Sequence, residues 1–162
     1  MKKILLVVAL LSGGLMFTTA SAQIQISLRA NIGEQPVWGP VGYDHVEYYY
    51  MPDIDAYYYV PTRQYIYLER GRWRFATALP RRYSSYNVYT SYKVVVNERQ
   101  PYRNAENYRT MYSPYKGRNN QPIIRNSQES KYFEVKDHPE HSKWKKGNDD
   151  HNRKGDRNNR RD

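Results

Sequence analysis

Between His45 and Ala76 the chain reads HVEYYYMPDIDAYYYVPTRQYIYLERGRWRFA. Four runs rich in aromatic and β-branched residues are cut by Pro52–Asp55, Pro61–Gln64 and Arg70–Gly71. Such runs suit strands, and the proline, aspartate and glycine between them suit turns. Strands following one another at this spacing predict an antiparallel meander. The pattern also repeats itself: Tyr48–Tyr50 with Met51 and Pro52 returns as Tyr57–Tyr59 with Val60 and Pro61.

Register assigns this repeat to faces. A four-residue loop at Pro52–Asp55 pairs Met51 with Ala56, Tyr50 with Tyr57, Tyr49 with Tyr58 and Tyr48 with Tyr59. A second loop at Pro61–Gln64 sets Val60 against Tyr65, Tyr59 against Ile66, Tyr58 against Tyr67 and Tyr57 against Leu68. A two-residue connection at Arg70–Gly71 brings Leu68 opposite Trp73 and Ile66 opposite Phe75. A three-residue loop with a glycine bulge would instead put arginines opposite these apolar residues, so it is rejected. Side chains alternate along each strand. One face therefore collects Tyr48, Tyr50, Tyr57, Tyr59, Ile66, Leu68, Trp73 and Phe75, and is expected to be the core. The other presents a row, Tyr49–Tyr58–Tyr67–Arg74, flanked by Glu47, Val60 and Tyr65. Cross-strand aromatic pairing alone would account for that row. A contiguous exposed aromatic surface ending in a cation is also the form of a contact site, so Tyr49, Tyr58, Tyr67 and Arg74 are the candidate ligand-binding residues.

Elsewhere, Gln23–Arg29 alternates apolar and polar residues as a half-buried strand does, and Asn31–Gly42, with two prolines and three glycines, reads as a loop. Tyr92–Val96 is a further strand with a largely buried position. A short helix fits Asn104–Tyr112, with Asn104 as its cap and Pro114 as its stop. Residues 136–162 are nearly devoid of apolar residues, apart from Trp144, and cannot offset ordering entropy by burial. The expected fold is mainly β: a small antiparallel β-meander sheet with one short helix and a disordered basic C-terminal tail.

The N-terminus carries Lys2–Lys3, an apolar stretch Ile4–Phe17 and Ala20–Ser21–Ala22 before Gln23, the pattern of a secretory signal peptide. The apolar stretch is shorter than a membrane-spanning helix needs. The expected organisation is a signal peptide at 1–22, a tyrosine-rich β domain at 23–135 and a tail at 136–162, with no transmembrane segment in the mature chain. The chain has no cysteine, which excludes disulfides and thiolate metal sites. Formal charge is +10, or +8 without Lys2 and Lys3. The tail contributes +3 of this, from nine Lys/Arg against six Asp/Glu. A basic surface favours polyanions such as an acidic glycan, a lipid headgroup or nucleic acid, and export makes nucleic acid the poorest of these, so none is expected.

Chemistry for catalysis is sparse. His138 and His141 have HxxH spacing, with His151 beyond, but Pro139 lies between them and a metal site needs three or four fixed ligands. Asp53 and Asp55 flank Ile54 in an open turn, where aspartate is a good turn former. His45 stands alone. No phosphate loop, nucleophile elbow or zinc-protease motif is present, so neither an enzyme nor a cofactor is expected. Arg70, Arg72, Arg74, Arg81 and Arg82 cluster with aromatics, a pattern that suits single-stranded nucleic acid. Guanidinium groups equally hold phosphate or carboxylate on a glycan or lipid.

The segments YYYMPDIDAYYYVPTRQYIYLERGRWRFATALPRRY, SYKVVVNE and PIIRNS resemble a group of small exported tyrosine-rich proteins of Gram-negative bacteria to which no function is assigned. KDHPEHSKWKKG resembles the same group more loosely. The resemblance implies an envelope location and supplies no catalytic residues. The expectation is a non-enzymatic exported protein of the periplasm, outer-membrane periphery or extracellular side. It would bind an anionic envelope glycan or lipid headgroup. The alternative is a structural or adaptor protein that contacts an envelope protein through the tyrosine row.

Overall fold

The structure, a computed structural model, describes residues 30–158. The expected signal peptide, the expected strand Gln23–Arg29 and residues 159–162 of the tail lie outside the described residues. The tyrosine-rich region forms β1 (Tyr48–Met51), β2 (Ala56–Tyr59), β3 (Gln64–Glu69) and β4 (Arg72–Ala76), and β5 (Val94–Val96) joins beside β1. All pairings are antiparallel, in the order β4-β3-β2-β1-β5, and the fold is mainly β.

Two of the three hairpin registers are as the turns dictate. β1 and β2 pair from Tyr48↔Tyr59 to Met51↔Ala56, and β3 and β4 set Leu68 against Trp73 and Ile66 against Phe75. The β2–β3 register corrects the expectation: Tyr57 faces Ile66, Tyr58 faces Tyr65 and Tyr59 faces Gln64. The turn occupies 60–63 instead of 61–64. Val60 leaves the strand to become a fully buried core residue, and its N–H donates to the Glu47 carbonyl at 3.0 Å. Arg63, at φ 56°, closes the turn by donating its N–H to the Val60 carbonyl at 3.2 Å. The resulting shift is even, so every side chain keeps its expected face.

On the first face Tyr48, Tyr50, Tyr57, Ile66 and Val96 pack under helix α1 (Ala105–Met111) through Tyr108, with Tyr102 and Tyr112 beside it. Asn104 occupies the N-cap position without a side-chain cap bond, and a 3-10 turn over Pro101–Asn104 leads in. The first hairpin turn holds the helix in place. The Tyr50 hydroxyl donates to Asp55 Oδ1 at 2.8 Å and Arg109 Nε donates to Asp55 Oδ2 at 3.1 Å. The Gly117 N–H donates to Asp53 Oδ1 at 2.7 Å, so both turn aspartates anchor the segment carrying the helix. Leu68 and Phe75, expected in this core, are 43% and 51% exposed. The helix covers the β1–β2 side of the face, and Tyr102 is what reaches Trp73 and Phe75.

The second face is also a core. Trp38 lies over it, and with Val46, Tyr49, Met51, Tyr58 and Val60 forms a buried cluster flanked by Ile54, Tyr65, Tyr86, Val88 and Val95. Gly39 permits this close approach, since a Cβ there would lie 2.5 Å from the Tyr49 hydroxyl. A third cluster of Ile32, Val37, Ile124, Tyr132 and Val135 joins the 3-10 segments to one another. Packing continues into the expected tail as far as His138, which is buried and donates from Nε2 to the Ser127 carbonyl at 3.2 Å. Beyond it the backbone of α2 (His141–Asn158) is helical, which the composition does not predict. Its described side chains are exposed or only half-buried, as a segment with so little apolar content requires. Among the described residues no helix is long and apolar enough to cross a membrane.

Candidate anionic-partner interface

The four residues of the expected binding row do not form an exposed row. Tyr49 is 0% exposed, its hydroxyl donating to Gln35 Oε1 at 3.0 Å, and its ring meets Trp38 edge-on with centroids 5.3 Å apart. Tyr58 is 7% exposed, wedged between Trp38 at 4.8 Å and Tyr65 at 5.0 Å. The corrected register puts Tyr65 beside Tyr58, while Tyr67 pairs with Arg74 one step along the sheet. Tyr67 is 8% exposed, because the Arg82 guanidinium lies over its ring at 5.4 Å. Arg74 alone of the four is well exposed. The physical reason is the loop before the repeat: it carries Trp38 across the sheet, and nothing periodic in its sequence announces that. Desolvation pushes the Tyr65 hydroxyl up to about 12, and raises those of Tyr49 and Tyr58 above the ordinary tyrosine value.

What stays on the surface is the basic end of that row. The turn between β3 and β4 is Arg70–Gly71, with φ of 50° and 73°, the left-handed pair that a two-residue hairpin turn requires. From Leu68 to Arg82 the chain carries five arginines, Arg70, Arg72, Arg74, Arg81 and Arg82, against one carboxylate, Glu69. All five arginines are exposed. Glu69 holds two of them, with Arg82 Nη1 at 3.2 Å from Oε1 and Arg74 Nε at 3.5 Å from Oε2. Arg82 also donates from Nη2 to the Leu68 carbonyl at 2.9 Å and stacks on Tyr83 at 4.6 Å. Hydrogen bonding to Tyr83 first, and then to Glu69, raises the Arg82 pKa further. Among the described residues Arg70, Arg72 and Arg81 make no ion pair. The arginines were legible in the sequence; the central position of Glu69 was not, because it depends on the fold of the Pro80–Tyr83 segment.

No family model, curated protein or solved structure matches this chain.

His138 and His141 are engaged locally. His138 Nδ1 accepts the Glu140 N–H at 3.1 Å while His141 Nδ1 bonds the Phe133 carbonyl at 3.0 Å and its ring stacks on Trp144. Among the described residues no three His, Cys, Asp or Glu side chains are grouped to hold a metal ion. A cleft of about 210 Å³ lies between Trp38, Tyr58, Tyr89 and the Val135–Asp137 segment, with Glu34 and Asp137 balanced by Arg63 and Lys136. Its charges cancel, whereas those of the β3–β4 end do not.

Proposed function

We propose that this is a non-enzymatic exported envelope protein that acts by binding an anionic partner through the arginine-bearing β3–β4 end. One observation carries the reading: five exposed arginines share the Leu68–Arg82 stretch with a single carboxylate, Glu69, and three of them are left without an ion pair among the described residues. Guanidinium forks hold phosphate and carboxylate bidentately, so an acidic glycan, a lipid headgroup and an acidic protein segment share the chemistry needed. An adaptor role is the second reading, favoured by the position of β4 at the edge of the sheet. In that role the contact lies on β4, since Tyr49 and Tyr58 are covered.

Pull-down of the full chain with an anionic envelope extract, at low and at high salt, tests the proposal. Retention at low salt should be lost at high salt, because exposed charge pairs are screened. Arg72→Glu with Arg74→Glu should cut retention by about tenfold or more, since each lost charged contact is worth roughly 1 kcal/mol and each reversal adds repulsion. Retention that ignores both salt and the charge reversal would overturn it.

A further inference from the structure

Among the described residues the outer edge of β4 is uncovered. At the opposite end of the sheet, the residues leading into β5 are flanked by the 118–121 segment. Tyr92 donates its N–H to the Arg118 carbonyl at 3.1 Å, and Gln121 bonds both the N–H and the carbonyl of Lys93 at 3.0 Å. Among the described residues no hydrogen bond reaches the backbone of Arg72–Ala76 from outside the sheet. The two-residue turn at Arg70–Gly71 makes Glu69↔Arg72 a hydrogen-bonded pair, and by alternation Tyr67↔Arg74 as well. Trp73 and Phe75 therefore direct their N–H and C=O groups outward, away from β3.

The side chains of β4 alternate in the same way. Arg72 and Arg74 project on one face, Trp73 and Phe75 on the other, and Phe75 is half exposed near the somewhat less exposed Leu68. A glycan or a lipid headgroup would satisfy the arginines and leave the aromatic side and the outward backbone groups unused. A second copy of β4 would set arginine against arginine, and like charges directly opposite one another destabilise a strand pair. A polypeptide strand with acidic residues at alternate positions and apolar residues between them meets all three requirements: backbone to backbone, carboxylates to Arg72 and Arg74, apolar groups to Trp73 and Phe75. We infer that β4 takes an extended polypeptide segment of alternating acidic and apolar residues as a sixth strand of the five-stranded sheet. This rests on the anionic-partner reading and specifies the class of partner.

The test is fluorescence-anisotropy titration of the full chain with a labelled synthetic peptide of alternating glutamate and valine. Controls are a peptide of the same composition with its glutamates in one block, an acidic polysaccharide, and vesicles containing an anionic lipid. The alternating peptide should bind at least about tenfold more tightly than the blocked one, a difference of roughly 1.4 kcal/mol. N-methylation of the peptide residues whose N–H groups face β4 should abolish binding, and methylation of those facing away should not. Phe75→Pro should also abolish it while leaving the sheet intact by circular dichroism, because the N–H removed is one that β3 does not use. Binding of the polysaccharide, the vesicles and both peptides alike, with no effect of Phe75→Pro, would overturn strand addition and leave the anionic-partner reading standing. Failure of every anionic probe to bind would overturn both.

Discussion

Replacing Trp38 by alanine is expected to destabilise the protein by about 3–5 kcal/mol, the range for emptying a buried aromatic site. Trp38 touches Tyr49 and Tyr58 edge-on and lies 5.9 Å from the Lys93 ammonium, so its removal uncovers the second face of the sheet at its centre. The residues around it cannot easily collapse into the space. Gly39 is already in contact with the Tyr49 hydroxyl, and Tyr49, Met51 and Val60 are held within the sheet and its turn. A loss of this size is a large fraction of the stability of an ordinary domain. Denaturant unfolding of the full chain measures it. A change within about 0.5 kcal/mol, the range for surface substitutions, would mean that the second face is not a core.

The second large effect is a stability maximum at mildly alkaline pH. Lys93 is buried; its ammonium donates to the Val88 carbonyl and lies beside Trp38, and burial lowers its pKa from 10.5 to about 8. Between those two values the unfolded chain binds a proton at this position that the folded protein has released, so stability rises with pH. The tyrosines act in the opposite direction. Burial raises Tyr48 to about 12 and raises Tyr49, Tyr50 and Tyr57 further. Their contribution is complete below the ordinary tyrosine value and is lost above it, at about 1.4 kcal/mol per pH unit for each fully buried group. The unfolding free energy should therefore rise by about 1 kcal/mol between pH 7 and pH 9 and fall by several kcal/mol by about pH 11. Lys93→Met should remove the rising limb and keep the falling one. Denaturant unfolding across this pH range reads both limbs, and a parent protein whose stability only falls with pH would refute the burial of an ionisable Lys93.

Much of the sheet was legible because turns and alternation are local. Pro52–Asp55 and Arg70–Gly71 fix two registers outright. The register between β2 and β3 was not legible, since the choice between a turn at 60–63 and one at 61–64 depends on Val60 finding a place in the core beneath Trp38. The division of the tyrosines between faces survives that error, because the shift is even. What each face meets is a different matter. The first face lost Leu68 and Phe75 from its expected core because α1 covers only the β1–β2 side. The second gained a cover from Trp38 and from Tyr86 and Val88, which lie in irregular segments where periodicity carries no signal. The candidate site was legible in the same partial way. The arginines are visible as a cluster in the sequence, and Tyr67 and Arg74 do lie together. Tyr49 and Tyr58 leave the surface for a reason found elsewhere in the chain.

The repeated tyrosine triplets are thus turned into the packing on both faces of the sheet, all but the half-buried Tyr59 being buried, and the proposed partner contact is assigned to β4 and its arginines. Amide hydrogen exchange of the full chain, alone and with the anionic envelope extract, tests this division most directly. In the free protein the amides of Tyr48–Met51 and Ala56–Tyr59 should exchange slowly and those of Trp73 and Phe75 quickly. The extract should slow exchange within Arg72–Ala76 and leave the two tyrosine strands unchanged. Rapid exchange in the tyrosine strands of the free protein, with protection gained there and not in β4, would contradict the account.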